Sequence, residues 1–192
     1  TVRTIAREME ESNFVPSYFE VPFERIRQVI VDDSLDGQNQ ISMTGKIDRI
    51  DLIEQEKQID YRVIDYKSGT HKLDYSSVYY GLQMQLAVYA HFAQQLLMDQ
   101  YPEKKVIPNG IYYYKIDDPL IAIKDQISDA DLEDKIAKEL ALTGESNEEI
   151  IEVLKKHTLR TIYQSQKKIQ DGEIQVHPIL HGTESGCDYC DY

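Results

Sequence analysis

The stretch GKIDRIDLIEQEKQIDYRVIDYKSG, residues 45–69, limits the fold more than any other part of the chain. Two runs of strand-forming residues, ISMTGKIDRIDLI and DYRVIDYK, flank the short polar EQEKQ, the pattern of two strands joined by a hairpin loop. Asp48, Asp65 and Lys67 nevertheless stand inside these runs, where an ionised group is costly to bury without a partner or a metal. Residues two apart on a strand share a face, so Asp65 and Lys67 project together with Tyr66 opposite, and Ser68-Gly69 ends the strand. With the hairpin paired, Asp48 lies beside Asp65 on that face. Asp51 is out of phase with Asp48 and reads as structural.

Two neighbouring carboxylates repel unless a cation separates them. Hard oxygen donors with no His or Cys close by in sequence favour Mg²⁺ or Mn²⁺ over zinc. An adjacent lysine can orient a metal-bound water or stabilise a pentavalent phosphate, so the triplet points to metal-assisted phosphodiester hydrolysis. The competing reading is that Asp48–Arg49 and Asp65–Lys67 are surface ion pairs. An apolar run that delivers its charges at its end favours the site.

With 192 residues the chain supports one core, read as a single domain with an appendage. The first dozen residues have helical spacing, with Ile5 and Met9 on one side, and alternation from Tyr18 predicts a strand. DDSLDGQNQ is a turn or loop. Leu82, Leu86, Tyr89, Ala93 and Leu97 recur at three- and four-residue steps, predicting one long amphipathic helix stopped by Pro102. VIPNGIYYYKID resumes strand character, LIAIK is a further strand candidate, and helices follow from a Ser128 cap onward and through residues 144–172. The order predicts an α/β layer around a mixed sheet.

The net charge of −13 argues at face value against nucleic acid. Much of the acid lies in DDSLDG, SDADLEDK and GESNEEIIE, however, and cations held by carboxylates reverse the local potential. No apolar run approaches the roughly 20 residues of a membrane span. The N-terminus has neither an initiator Met nor a signal-peptide core and reads as a cut inside a longer protein. Two cysteines only, Cys187 and Cys190, fit a reducing, cytoplasmic compartment. The five histidines share no ligand spacing, and His91 reads as exposed or satisfied in the core. Tyr112-Tyr113-Tyr114 reads as strand packing ahead of base contact, and the lysine pairs at 104–105, 155–156 and 167–168 as solvated or phosphate-facing.

The strings GKIDRID, VIDYKSG and YYGLQMQLAVY, in that order, resemble the successive motifs of RecB-type PD-(D/E)XK nucleases. NGIYYYKIDDPLI, VHPI and the final CDYCDY bring the resemblance closest to the AddB/RexB family of helicase–nuclease subunits. The resemblance implies a PD-(D/E)XK core, a mixed central β-sheet flanked by helices, here over residues 14–127, with a C-terminal helical extension over 128–192. It makes Asp48 and Asp65 metal ligands, the Tyr66 backbone carbonyl a further ligand and Lys67 the catalytic lysine. Gln85 and Tyr89 fit the family's Gln-(x)₃-Tyr helix motif, with Gln83 the runner-up; without the resemblance they read as the polar edge of a buried helix. The family's upstream metal-binding His has no counterpart in residues 1–13, where Glu8, Glu10 and Glu11 are the available acids. Cys187 and Cys190 would belong to a 4Fe–4S cluster in the full-length protein but are two free thiols in this fragment.

The activity so implied is a Mg²⁺- or Mn²⁺-dependent exonuclease acting on single DNA strands during double-strand break repair and recombination. No Gly-x-x-x-x-Gly-Lys-Ser/Thr loop is present, so ATP hydrolysis falls to a partner, an AddA/RexA-like helicase–nuclease subunit. The rival readings are a non-catalytic DNA-binding or scaffold domain of the same fold and a stand-alone RecB-family nuclease.

Overall fold

The computed structural model describes residues 13–28, 40–69, 71–116, 143–173, 175, 180–181 and 184–185. The helix expected over the first dozen residues, the loop at 32–39, the LIAIK strand, the helix after Ser128, the VHPI string, and Cys187 and Cys190 lie outside these residues. Five strands form the main sheet: β1 (Val15–Gln28), β2 (Gln40–Glu54), β3 (Gln58–Ser68), β4 (Lys105–Ile116) and β5 (Thr143–Glu145), in that spatial order. All neighbours are antiparallel except β3 and β4. That parallel pair needs a crossover, and α1 (Tyr75–Tyr79) and α2 (Gln85–Gln100) occupy it. Helix α3 (Glu148–Gln170) follows β5, and a two-stranded ribbon pairs β6 (Leu180–His181) with β7 (Glu184–Ser185). The sheet is therefore mixed and flanked by helices.

One face of β2 and β3 presents Ile50, Leu52, Ile59, Tyr61 and Val63 to Phe92, Ala93 and Leu97 of α2. On another side of α2, Leu86, Ala87 and Ala90 pack with Val78, Ile111 and Tyr113 and with Ile151 and Leu154 of α3. Helix α2 is thus walled by sheet and helix, which explains why its apolar residues spread beyond a single stripe. Within the part expected as a helical extension, residues 143–145 are a strand of the main sheet and α3 packs on the core. Asn147 caps α3 by accepting from the Ile150 N–H, with Glu148 and Glu149 in the first turn and Lys167 and Lys168 in the last, each sign matched to the helix dipole.

The single helix expected to run to Pro102 is two. Gly81, at φ 79°, turns the chain between α1 and α2 in a conformation that side chains with a Cβ disfavour. Leu82, counted on the apolar stripe, is exposed as a result, while Leu86 is fully buried. Lys155 is also not a solvated lysine. It is buried and donates to Glu152 at 2.6 Å and to Gln94, and burial lowers its pKa. His91 beside it is pulled down to about 4, first by burial and then by the Lys155 charge. Its Nε2 is buried with no hydrogen-bond partner, so it is neither exposed nor satisfied.

Strand alternation fails within β2. Ile47 and Ile50, three apart, both pack into the same cluster. The β1–β2 pairing passes from Phe19↔Arg49 to Val21↔Ile47, and Glu20 between them has φ 51°, the one non-glycine with positive φ among the described residues. Beyond this break the face that bears Ile47 also bears Gly45, which lies against the Phe23 ring; a Cβ there would stand 2.3 Å from Phe23 Cζ. Phe23 cannot swing away freely, being stacked on Phe92 at 4.3 Å and edge-on to Tyr89. Gly45→Ala is expected to destabilise the fold by about 1–3 kcal/mol through overpacking, measured as a lower urea midpoint at unchanged m-value.

On the opposite face, Arg49, Asp51 and Arg62 form a buried cluster. Arg49 donates from Nε and Nη2 to Asp51 at 2.6 and 2.7 Å, and Arg62 Nε donates to Asp51 at 2.8 Å. Arg62 also lies over the Phe14 ring at 4.7 Å. Arg49 therefore bonds Asp51 and not Asp48, and Asp51 holds the sheet together on the face away from α2.

Candidate active site

The backbone pairing of β2 with β3 reaches Arg49↔Ile64, and beyond it the strands part. Asp48 and Asp65 stand at that fork. Asp48 Oδ2 accepts the Tyr66 backbone N–H at 2.9 Å, so a side chain takes the place of the next ladder bond. The resemblance makes the Tyr66 carbonyl a metal ligand; the N–H of the same residue is held by Asp48, while its phenol points to the other face, edge-on to Tyr114.

Asp65 is 2% exposed, which removes the reading of a surface ion pair. Lys67 Nζ lies 2.8 Å from its Oδ2 and donates to Gln85 Oε1 at 2.8 Å, and Gln85 Nε2 donates to the Tyr89 hydroxyl at 2.8 Å. The structure thus joins Asp65, Lys67, Gln85 and Tyr89 in one chain of contacts beside Asp48. Spacing explains the convergence: Asp65 and Lys67 share a strand face, and Gln85 and Tyr89, four apart, share a helix face. Gln83 is not part of it. Its Oε1 accepts the Asp74 N–H at 3.0 Å and fixes the start of α1.

Burial raises the Asp65 pKa; the Lys67 partner opposes this and the Asp48 charge adds to it. Burial likewise raises Tyr89, reinforced by the charges of Asp65 and Asp48, so its phenol stays protonated and can donate. Two further residues border the group. Tyr113 lies beside Asp65 in the β3–β4 register, its ring 5.9 Å from Lys67 Nζ, and burial followed by the Asp65 charge pushes it up to about 12. His71 sits 6.0 Å from the Tyr113 ring and favours the ionised form of Asp65. Tyr113 is not evident in the sequence as a neighbour of Asp65, because only strand order puts β4 next to β3.

Asp65 Oδ2 is buried and makes no aligned hydrogen bond, its Lys67 contact being a charge contact. An ionised oxygen in that condition, with a second carboxylate at hand, fits a hard divalent cation. Among the described residues no group of three or more His, Cys, Asp or Glu side chains gathers to hold a metal. The side-chain donors there are Asp48 and Asp65. In the metal-free chain the raised pKa of Asp65 gives a stability contribution that is full below the ordinary carboxylate range and is lost as pH rises through the folded-state value. Asp65→Asn is therefore expected to raise Tm at neutral pH without metal, to flatten that pH dependence, and to show no Tm increase with Mn²⁺, whereas the unmodified chain is expected to show one. Differential scanning fluorimetry with and without Mn²⁺ checks all three.

The strand fork thus gathers two acids with a lysine, an amide and a phenol, the last three in hydrogen-bonded sequence. The chain belongs to the PD-(D/E)XK nuclease superfamily, whose family model matches residues 1–192. Among curated proteins it is similar to the B-subunit of the ATP-dependent helicase/deoxyribonuclease of Clostridium kluyveri, at 32% identity over 100% of this chain and 20% of that protein. The protein of the same name from Lachnoclostridium phytofermentans is 34% identical over 75% of this chain and 11% of its own length. The one from Clostridium novyi is 29% identical over 100% and 20%. The chain spans at most about a fifth of these relatives. Among the described residues no helix is long and apolar enough to cross a membrane.

Proposed function

We propose that the chain is a metal-dependent deoxyribonuclease unit that degrades single DNA strands from an end, within a helicase–nuclease assembly of the kind its relatives' names describe. The contact chain Asp65–Lys67–Gln85–Tyr89 beside Asp48 carries this reading. Asp48 and Asp65, with the Tyr66 carbonyl, would hold Mg²⁺ or Mn²⁺, which supplies charge neutralisation at phosphate and lowers the pKa of a bound water. Lys67 has three N–H donors; Gln85 Oε1 takes one, and the ammonium rests against Asp65 in a charge contact, so donor capacity is left for a phosphate oxygen or the attacking water. Gln85 fixes the ammonium in place, since its carbonyl oxygen faces Lys67 while its NH₂ is held by Tyr89. Tyr113 underlies Lys67 and shields the Asp65–Lys67 pair from water. An AddA/RexA-like subunit as motor, a cytoplasmic setting and a role in double-strand break repair complete the proposal.

Oligonucleotides labelled at either end, incubated with Mg²⁺, Mn²⁺ or EDTA, test it. Short products released from one end are expected with metal, none with EDTA, and a covalently closed single-stranded circle should resist. Cutting of the circle would remove the exonuclease assignment. No cleavage by a chain shown to bind Mn²⁺ would remove the nuclease assignment altogether.

A further inference from the structure

The segment Tyr75–Leu82 leads from the β3 end that carries Lys67 into helix α2, whose first residue is the Gln85 bonded to that lysine. It exposes four large side chains: Tyr79 at 65%, Tyr75 at 49%, Leu82 at 47% and Tyr80 at 43%. Solvent is a poor place for such a group of rings, and patches of this kind mark binding surfaces. The rings are also fixed. Tyr79 stacks on His157 of α3 with centroids 5.1 Å apart and planes 9° from parallel, the His157 Nε2 is 3.0 Å from the Tyr79 carbonyl oxygen, and Tyr80 meets Tyr79 edge-on at 5.2 Å. Val78, fully buried between them, anchors the turn to the core.

The character of the patch selects its occupant. An apolar protein segment would call for an aliphatic groove, and Leu82 is the one aliphatic member of these four. Flat, ordered rings with cations alongside suit unpaired nucleobases on a phosphate backbone. Lys156 and Arg160, both exposed and four apart on α3, are cations on the helix that carries His157, in a chain of net charge −13.

We propose that Tyr79, backed by His157 and braced by Tyr80, is a stacking platform for an unpaired base of the strand that enters the Asp48–Asp65–Lys67 site. Resting on the nuclease reading above, the platform holds the strand by a base while the lysine faces its phosphate, and it is indifferent to sequence because every base offers a π-face. Lys156 and Arg160 meet the flanking phosphates.

Binding of fluorescein-labelled oligo-dT to the full chain, read by anisotropy in EDTA so that no turnover occurs, tests the platform. Tyr79→Ala is expected to weaken binding about ten-fold and Tyr79→Phe to leave it within about two-fold. A strand with abasic positions should bind the unmodified chain as weakly as oligo-dT binds Tyr79→Ala, and Tyr79→Ala should lose little further on it. A 2-aminopurine in the strand should be quenched by the unmodified chain and by Tyr79→Phe, but not by Tyr79→Ala. Equal affinity of Tyr79→Ala and the unmodified chain, or an equal loss on normal and abasic strands, overturns the platform; so does the absence of strand binding by the unmodified chain. Loss of binding to a partner subunit with strand binding intact makes the patch a protein-docking surface instead. Quenching that depends on Tyr79 in a chain that does not cut with Mn²⁺ bound would sink the nuclease reading alone.

Discussion

Lys67→Met is expected to lower strand cleavage about 10²- to 10³-fold while Mn²⁺ still binds at mildly alkaline pH. Methionine keeps an unbranched chain over the Tyr113 ring and removes only the ammonium. On the proposed reading two effects then combine: a phosphate loses the Lys67 donor, and Asp65 loses the partner that opposes its raised pKa, so its carboxyl protonates more readily. Metal affinity should accordingly need a higher pH than in the unmodified chain, a shift seen by titrating Mn²⁺ at several pH values. Cleavage at the unmodified rate, with that pH shift present, would reduce Lys67 to a counterion of Asp65.

Removing Asp51 should have the largest effect on stability. Its two carboxylate oxygens accept from Arg49 and Arg62, and neither Arg49 nor Asp51 is exposed at all. Asp51→Ala confronts two guanidinium groups on one buried face, and breaking such a cluster from one side costs about 3–5 kcal/mol. Domains of this size have roughly 5–15 kcal/mol in total, so the variant should unfold at markedly lower urea, or fail to fold at ordinary temperature. Replacing all three charged residues by apolar residues of similar volume should be far milder, because no charge is then left stranded. A urea midpoint for Asp51→Ala within about 0.3 M of the unmodified chain would show that the arginines are held by other groups.

Spacing makes much of the candidate site legible. Asp65 and Lys67, two apart on a strand, share a face by periodicity alone, whereas Gln85 and Tyr89, four apart on a helix, are singled out only by the family resemblance. Asp48 is reachable through the hairpin, but the phase break between Ile47 and Ile50 on the same strand is not. The turn at Gly81 is hidden because Leu82, which lies within it, keeps helical spacing with Leu86, and one glycine does not announce its φ. Lys155 is legible as buried, since it falls in the stripe of Ile151, Leu154, Thr158 and Leu159. Tyr113 is not, because its nearness to Asp65 belongs to strand order and not to any local pattern.

The position of α2 has a wider consequence. The helix that brings Gln85 and Tyr89 to the lysine packs on both the sheet and α3, so any slide or tilt of it disturbs both contacts. The reach from amide to ammonium is therefore governed by the girth of interior side chains well away from it. Shaving a methyl from Leu97 or Ile151 would be felt as slack in the catalytic lever before it was felt as unfolding, and turnover should be the more sensitive gauge of damage to this interior.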